Sequence, residues 1–110
     1  MDKEEHFEFL VEAAISMLPT EISGRTRGIT SGYQPNHNFG GIDNKIMRMG
    51  SVTVLNDEWI LPGETKNVIV HFSMPEGYVV DLRPSLEWRI QEGSKHVANG
   101  VIIFVYDPNS

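Results

Sequence analysis

Apolar and polar residues alternate with period two over much of this chain. Leu86, Trp88 and Ile90 alternate with Glu87, Arg89 and Gln91, the pattern of a half-buried strand. Glu92-Gly93-Ser94-Lys95 follows as a polar connector of hairpin length, and Val97 to Tyr106 is a long β-branched and aromatic run. Gly100 interrupts that run, which in a strand marks a bulge or a close backbone approach. Upstream, Val68, Val70, Phe72 and Met74 alternate with Ile69, His71 and Ser73 until Pro75 ends the pattern. Ile46 to Leu55 predicts another strand, and Trp59-Ile60-Leu61 a short one before a Pro62-Gly63 turn. Short strands separated by Gly and Pro turns predict an all-β chain, a small antiparallel barrel or sandwich.

The N-terminal segment fits two periods. Phe7, Leu10, Val11, Ala14 and Leu18 share a face at helical spacing, while Val11, Ala13, Ile15 and Met17 also alternate as in a strand. Periodicity does not choose between them, intrinsic propensity leans to helix, and Pro19 stops either element. The chain has no internal repeat and no low-complexity tract.

Length and charge narrow the picture. A chain of 110 residues supports one hydrophobic core, and 40% apolar with 22% charged residues is an ordinary globular composition. The net charge of −6 is uneven: Asp2, Glu4, Glu5, Glu8 and Glu12 against Lys3 leave a local −4 in the first 12 residues. That balance excludes a DNA-coating protein, which needs an excess of Lys and Arg, but leaves room for a small nucleic-acid-binding patch. The absence of cysteine excludes disulfides, Cys-based zinc sites and thiol chemistry. No apolar stretch approaches the ~20 residues of a membrane span. The acidic start is unlike a secretory leader. A cytoplasmic protein that binds neither DNA nor membrane is therefore expected.

Catalytic signatures are absent. His6, His37, His71 and His96 are scattered without metal-ligand spacing and read as surface or hydrogen-bonded structural residues. Asp43-Asn44 and Asn56-Asp57-Glu58 read as turns and not calcium loops. No sequence feature pairs any two of Glu21, Glu64, Glu76, Glu87 and Glu92, and neither a phosphate-binding Gly-rich loop nor a Gly-x-Ser-x-Gly elbow occurs. The expectation is a protein that is not an enzyme and carries no cofactor.

The most uneven stretch is 24–41, GRTRGITSGYQPNHNFGG. It combines five glycines, Pro35, three side-chain amides (Gln34, Asn36 and Asn38), Tyr33, and the cations Arg25 and Arg27. Lys45 and Arg48 lie just beyond, and between Pro19 and Leu55 the only acids are Glu21 and Asp43, a local +2. One reading is a turn-rich connection whose amides bond their own backbone. The other is a recognition loop in which arginines meet phosphate or carboxylate.

Gly24-Arg25-Thr26 followed by Ser31-Gly32-Tyr33-Gln34-Pro35 resembles the C-terminal, third β-barrel domain of bacterial elongation factor Tu, which reads roughly Gly-Gly-Arg-His-Thr-Pro-Phe-Phe-x-Gly-Tyr-Arg-Pro-Gln there. Leu61-Pro62-Gly63-Glu64-Thr65 is similar to that family's Met-Pro-Gly-Asp turn, and Ile90-Gln91-Glu92-Gly93 to its Ile-Arg-Glu-Gly turn. Val97 to Val101 is similar to its closing Val-Gly-Ala-Gly-Val strand. Each motif alone is weak; the four stand in the family's order from about Phe9 to Tyr106.

The resemblance implies a six-stranded antiparallel barrel of Greek-key type over residues 9–107, with an acidic extension at 1–8 and a tail at 108–110. It also implies a strand over Val11–Leu18. In the family this domain is non-catalytic, contacts the T stem of aminoacyl-tRNA and offers surfaces to proteins. The binding residues so implied are Arg25, Gln34, Asn36 and Glu92, with Arg27, Lys45 and Arg48 as adjacent phosphate positions. Arg25 and Glu92 are retained where the family's domain meets the T stem. Thr26 replaces a His, Asn36 a Gln and Gln34 an Arg, and Met74 replaces a Lys found in some relatives. Two cationic contacts are thereby lost, which weakens any grip on tRNA.

No GTPase domain accompanies this barrel, so the chain alone is expected to bind no GTP. The expected partner is a tRNA-like RNA or a translation protein. An alternative is a decoy that mimics the third barrel and occupies a protein partner of elongation factor Tu. A third expectation is self-association, with Tyr33, Trp59 and Tyr78 as aromatic anchors.

Overall fold

The alternation in the chain becomes inward and outward faces of a closed six-stranded antiparallel barrel, in a computed structural model describing residues 5–41 and 43–106. The strands are β1 (His6–Met17), β2 (Asn36–Asn38), β3 (Arg48–Val54), β4 (Thr65–Pro75), β5 (Glu87–Glu92) and β6 (Lys95–Tyr106). Around the barrel the order is β1-β4-β3-β2-β5-β6, and β6 returns to pair with β1. Every pairing is antiparallel.

Val11, Ala13 and Ile15 of β1, Val68, Val70, Phe72 and Met74 of β4, Ile90 of β5 and Val97 of β6 are completely buried and fill the interior. The strand reading of the N-terminal segment holds, because those inward positions face the core at period two. β1 begins at His6, so three residues of the segment expected as an extension are strand; residues 1–4 and the tail at 108–110 lie outside the described residues. The last described residue is Tyr106.

Two local expectations are corrected. Trp59-Ile60-Leu61 forms no strand: Ile60 makes a single bridge with Ile29, while Trp59 and Leu61 are exposed. The sixth strand is instead β2, three polar residues inside the glycine-rich stretch. It pairs with β3 on one side and β5 on the other. Its central residue, His37, points inward and joins an aromatic cluster with Phe72 (ring centroids 4.9 Å apart) and Trp88 (6.1 Å), against which Phe39 also stacks.

Turn chemistry follows the sequence. Gly93 and Ser94 connect β5 to β6, and Gly93 takes a left-handed φ of 62°. Gly100 is a close approach: a Cβ there would lie 2.5 Å from the Trp88 ring. After β1, Pro19 opens a short helical turn, α1 (Thr20–Ser23), closed by Gly24 in the left-handed region. The segment beyond it runs across the barrel, anchored by the Ile29–Ile60 and Tyr33–Val52 bridges, and delivers the chain to β2.

Candidate binding face

Arg25 follows α1 directly, and its backbone is fixed on both sides. Its N–H donates to Ser23 Oγ (3.1 Å) and its carbonyl accepts from Thr20 Oγ1 (2.8 Å). The guanidinium then reaches the β5–β6 hairpin. Nη1 donates to Glu92 Oε2 in an ion pair, Nε donates to the Arg27 carbonyl (2.9 Å), and Nη2 to the Gly28 carbonyl (3.2 Å). Tyr33 completes the arrangement. Its hydroxyl donates to the same Glu92 oxygen (2.8 Å), and its ring lies under the Arg25 guanidinium, 5.4 Å from the centroid. Burial and the adjoining Glu92 carboxylate hold the phenol protonated well above its ordinary range.

Arg25 and Glu92 are thus brought together, and both are engaged with one another. All three nitrogens of the Arg25 guanidinium have acceptors within the chain. Arg25 and Tyr33 line a groove of about 550 Å³ together with Arg27, Thr30 and Trp59. Arg27 is exposed, and among the described residues no carboxylate pairs with it.

Asn36 and Lys45 are grouped in a second cleft, of about 510 Å³, together with Arg89, Gln91 and Ser94. The segment between β2 and β3 folds back over the outer face of the barrel here. Asn38 Nδ2 donates to the Gly41 carbonyl and to Gln91 Oε1 (2.7 Å each), while Asn38 Oδ1 accepts from the Gly40 backbone N–H and from Asn44 Nδ2 (2.9 Å each). Of the three amides in the 24–41 stretch, Asn38 thus bonds its own chain, as one reading anticipated, and its bonds hold Asn44 and Gln91, which line the cleft.

The remaining two candidates lie apart. Arg48 Nε donates to the Tyr78 carbonyl (2.6 Å) and Nη1 to the Ile46 carbonyl (3.2 Å), with the Tyr78 ring 5.8 Å away. Its charge is unpaired but its donors hold the loop after β4. Gln34 borders a shallow depression of about 170 Å³ with Met49, Ser51 and His71.

The residue that sequence reasoning passed over is Arg89. It counted only as an outward position in an alternating strand, whereas it lines the second cleft and the Nε of its side chain is buried without a hydrogen-bond partner. Tyr33 was noticed as an aromatic in a turn, but its bond to Glu92 spans 59 residues and no local signal announces it. Among the described residues no group of three or more His, Asp or Glu side chains is placed to hold a metal ion.

Several cations therefore stand without acidic partners. Arg27, Lys45, Arg48, Arg89 and Lys95 have no carboxylate within ion-pair distance among the described residues, whereas Lys66 pairs with Glu58 and Arg83 with Asp81 elsewhere. Such a set of donors suits the binding of anionic, oxygen-rich groups. Matched against models of known protein families, the chain fits none.

Proposed function

We propose that this protein is a non-catalytic binding module of the translation-elongation-factor type that engages RNA through the 24–41 face and the adjoining β5–β6 hairpin. The observation that carries the reading is that Arg27, beside the Arg25–Glu92 pair, and Lys45 with Arg89, in the cleft against the β5–β6 hairpin, have no carboxylate within ion-pair distance among the described residues of a chain whose net charge is −6. A random scatter of cations in so acidic a chain would find carboxylates, as Lys66 and Arg83 do. The sequence resemblance to the third barrel of elongation factor Tu supports the same reading. In it Arg27 and Lys45 contact phosphate, Asn36 offers an amide, and Arg25 with Glu92 holds the loop in shape.

Titration with a tRNA-like RNA hairpin at low salt tests this. The expected result is micromolar binding that weakens with salt, with a slope reduced by about one unit per cation removed in Arg27→Ala and Lys45→Ala. Absence of binding at low salt, or binding indifferent to both substitutions, would overturn it.

A second reading is favoured by a different surface. Phe104 and Tyr106 on β6, in edge-to-face contact at 5.0 Å, stand exposed beside Leu10 of β1 and Ile103. In that reading the protein mimics the third barrel and occupies a protein partner of elongation factor Tu through this strip. Capture of an identified elongation factor Tu partner from nuclease-treated lysate, lost on Phe104→Ser, supports it; capture that requires RNA rejects it.

A further inference from the structure

Arg89 stands on the outer face of β5, between the inward-facing Trp88 and Ile90, opposite Asn38 of β2 and Asn99 of β6. Its Nε is the one buried side-chain polar atom among the described residues that lacks a hydrogen-bond partner. A charged group left with an unsatisfied donor inside the chain is under-compensated, so the rest of this guanidinium, at the openings that Arg89 lines, favours an anion from outside the chain. None of its neighbours supplies an acceptor: Asn38, Asn44 and Gln91 are engaged with each other and with backbone carbonyls, and the Asn99 side-chain oxygen is taken by His96 Nε2 (2.8 Å).

Openings lie on both sides of the guanidinium. The first, about 610 Å³, has Glu87 as its one other charged residue, which repels an anion. The second, about 510 Å³, contains a second cation, Lys45, with the Asn36 amide and the Ser94 hydroxyl. Asp43 also borders it, but no nitrogen of Arg89 or Lys45 lies within 4.0 Å of that carboxylate, and two cations against one acid leave the cleft positive.

We infer that this second cleft is an oxyanion site for a phosphoryl group, with Arg89 and Lys45 as its charged ligands. The donors come from four separate stretches of the chain: β2, the 43–45 segment, β5 and the hairpin turn. That arrangement suits the three or four acceptor oxygens of a phosphate better than the two coplanar oxygens of a carboxylate. The site is separate from the Arg25–Glu92 groove. It rests on the RNA reading only for the carrier of the phosphate, which is either a nucleic-acid backbone or a free phosphorylated compound.

The test follows the Arg89 Nε–H resonance of the full chain by nitrogen-edited NMR at low salt. One series adds inorganic phosphate, one a short single-stranded uridine oligonucleotide, and one acetate at matched ionic strength. The expected result is a saturable shift with phosphate, weakened about fivefold by Lys45→Gln, tightened a few-fold by Asp43→Asn, and unaltered by the remote Arg83→Gln. These variants are all at exposed positions and leave Arg89, whose Nε is buried, in place. Lack of saturation, an equal response to acetate, or an affinity indifferent to Lys45→Gln would overturn the site. Saturation by phosphate alone upholds the site and sinks the RNA reading; saturation by both upholds both.

Discussion

Trp88 donates its indole Nε1–H to Nδ1 of His37 across 3.0 Å in the barrel interior. Because indole nitrogen only donates, Nδ1 must be the acceptor, and the imidazole proton resides on Nε2, which donates to the Gly50 carbonyl at 3.0 Å. Both ring nitrogens are therefore satisfied by the neutral form. Burial pushes the His37 pKa down to about 4 despite the Gly50 bond, which acts in the opposite direction.

Acid sensitivity follows with a definite sign. The unfolded chain takes up a proton at His37 near the ordinary pKa of about 6.5, the folded chain only near 4, so stability falls as pH drops through that window. Urea midpoints measured between pH 7 and 4 should show a loss of roughly 3 kcal/mol attributable to this residue. In His37→Phe the protein is less stable at neutral pH, since Trp88 and Gly50 lose their partner, but the slope in the window shrinks by about one proton. An unchanged slope would refute the assignment.

The Arg25–Glu92 pair is half-buried, with side-chain exposures of 21% and 36%, and solvent screens part of its attraction. Arg25→Ala also releases the Arg27 and Gly28 carbonyls and should destabilise the protein by about 1–2 kcal/mol. Glu92→Gln should cost less. A double-mutant cycle by urea unfolding should give a coupling of about 0.5–1.5 kcal/mol; additivity within error would show that the pair is incidental.

Gly100→Ala forces a methyl group against the Trp88 ring, which is itself packed against His37, Phe39 and Phe72. The expected loss is about 1–3 kcal/mol, read as a lower thermal midpoint. Gly100→Ala combined with Trp88→Leu should cost less than the sum of the two separately, because the smaller side chain vacates the space. Strict additivity would show that the indole does not set the limit.

Asn38→Ala removes four hydrogen bonds at once and leaves Gln91 and Asn44 without their partner. A loss of about 1–3 kcal/mol is expected, together with earlier proteolytic cleavage between residues 39 and 46. Cleavage at the wild-type rate would show that the amides do not hold this segment.

The long strands were legible because their inward residues are uniformly apolar: Val68, Val70, Phe72 and Met74 can be read straight from the chain, and all are fully buried. β2 was not, since Asn36-His37-Asn38 contains no apolar residue. His37 sits in the core because Trp88, 51 residues away, and the Gly50 carbonyl give its two ring nitrogens hydrogen bonds there. Trp59-Ile60-Leu61 looked like a strand, but only Ile60 has a core to face. At the candidate face, the cations were visible as residues while their engagement was not. Whether Arg25 or Arg48 is free depends on carbonyls and carboxylates supplied by distant segments, and the isolation of Arg89 depends on amides that bond elsewhere.

The closure of the barrel between β1 and β6 has a kinetic side. Leu10 pairs with Tyr106 and Met17 with Ala98, so one seam of the barrel joins opposite ends of the described chain. During synthesis β1 emerges first and finds β4 next, leaving its other edge without a mate until β6 follows. Pairings of such wide sequence separation incur their loop-closure entropy before they return any contact energy, which makes folding slow for a chain this short. Until the seam forms, β1 presents an unpaired edge that another chain can join, and the same strand that completes the native barrel is then a point at which two molecules can exchange strands.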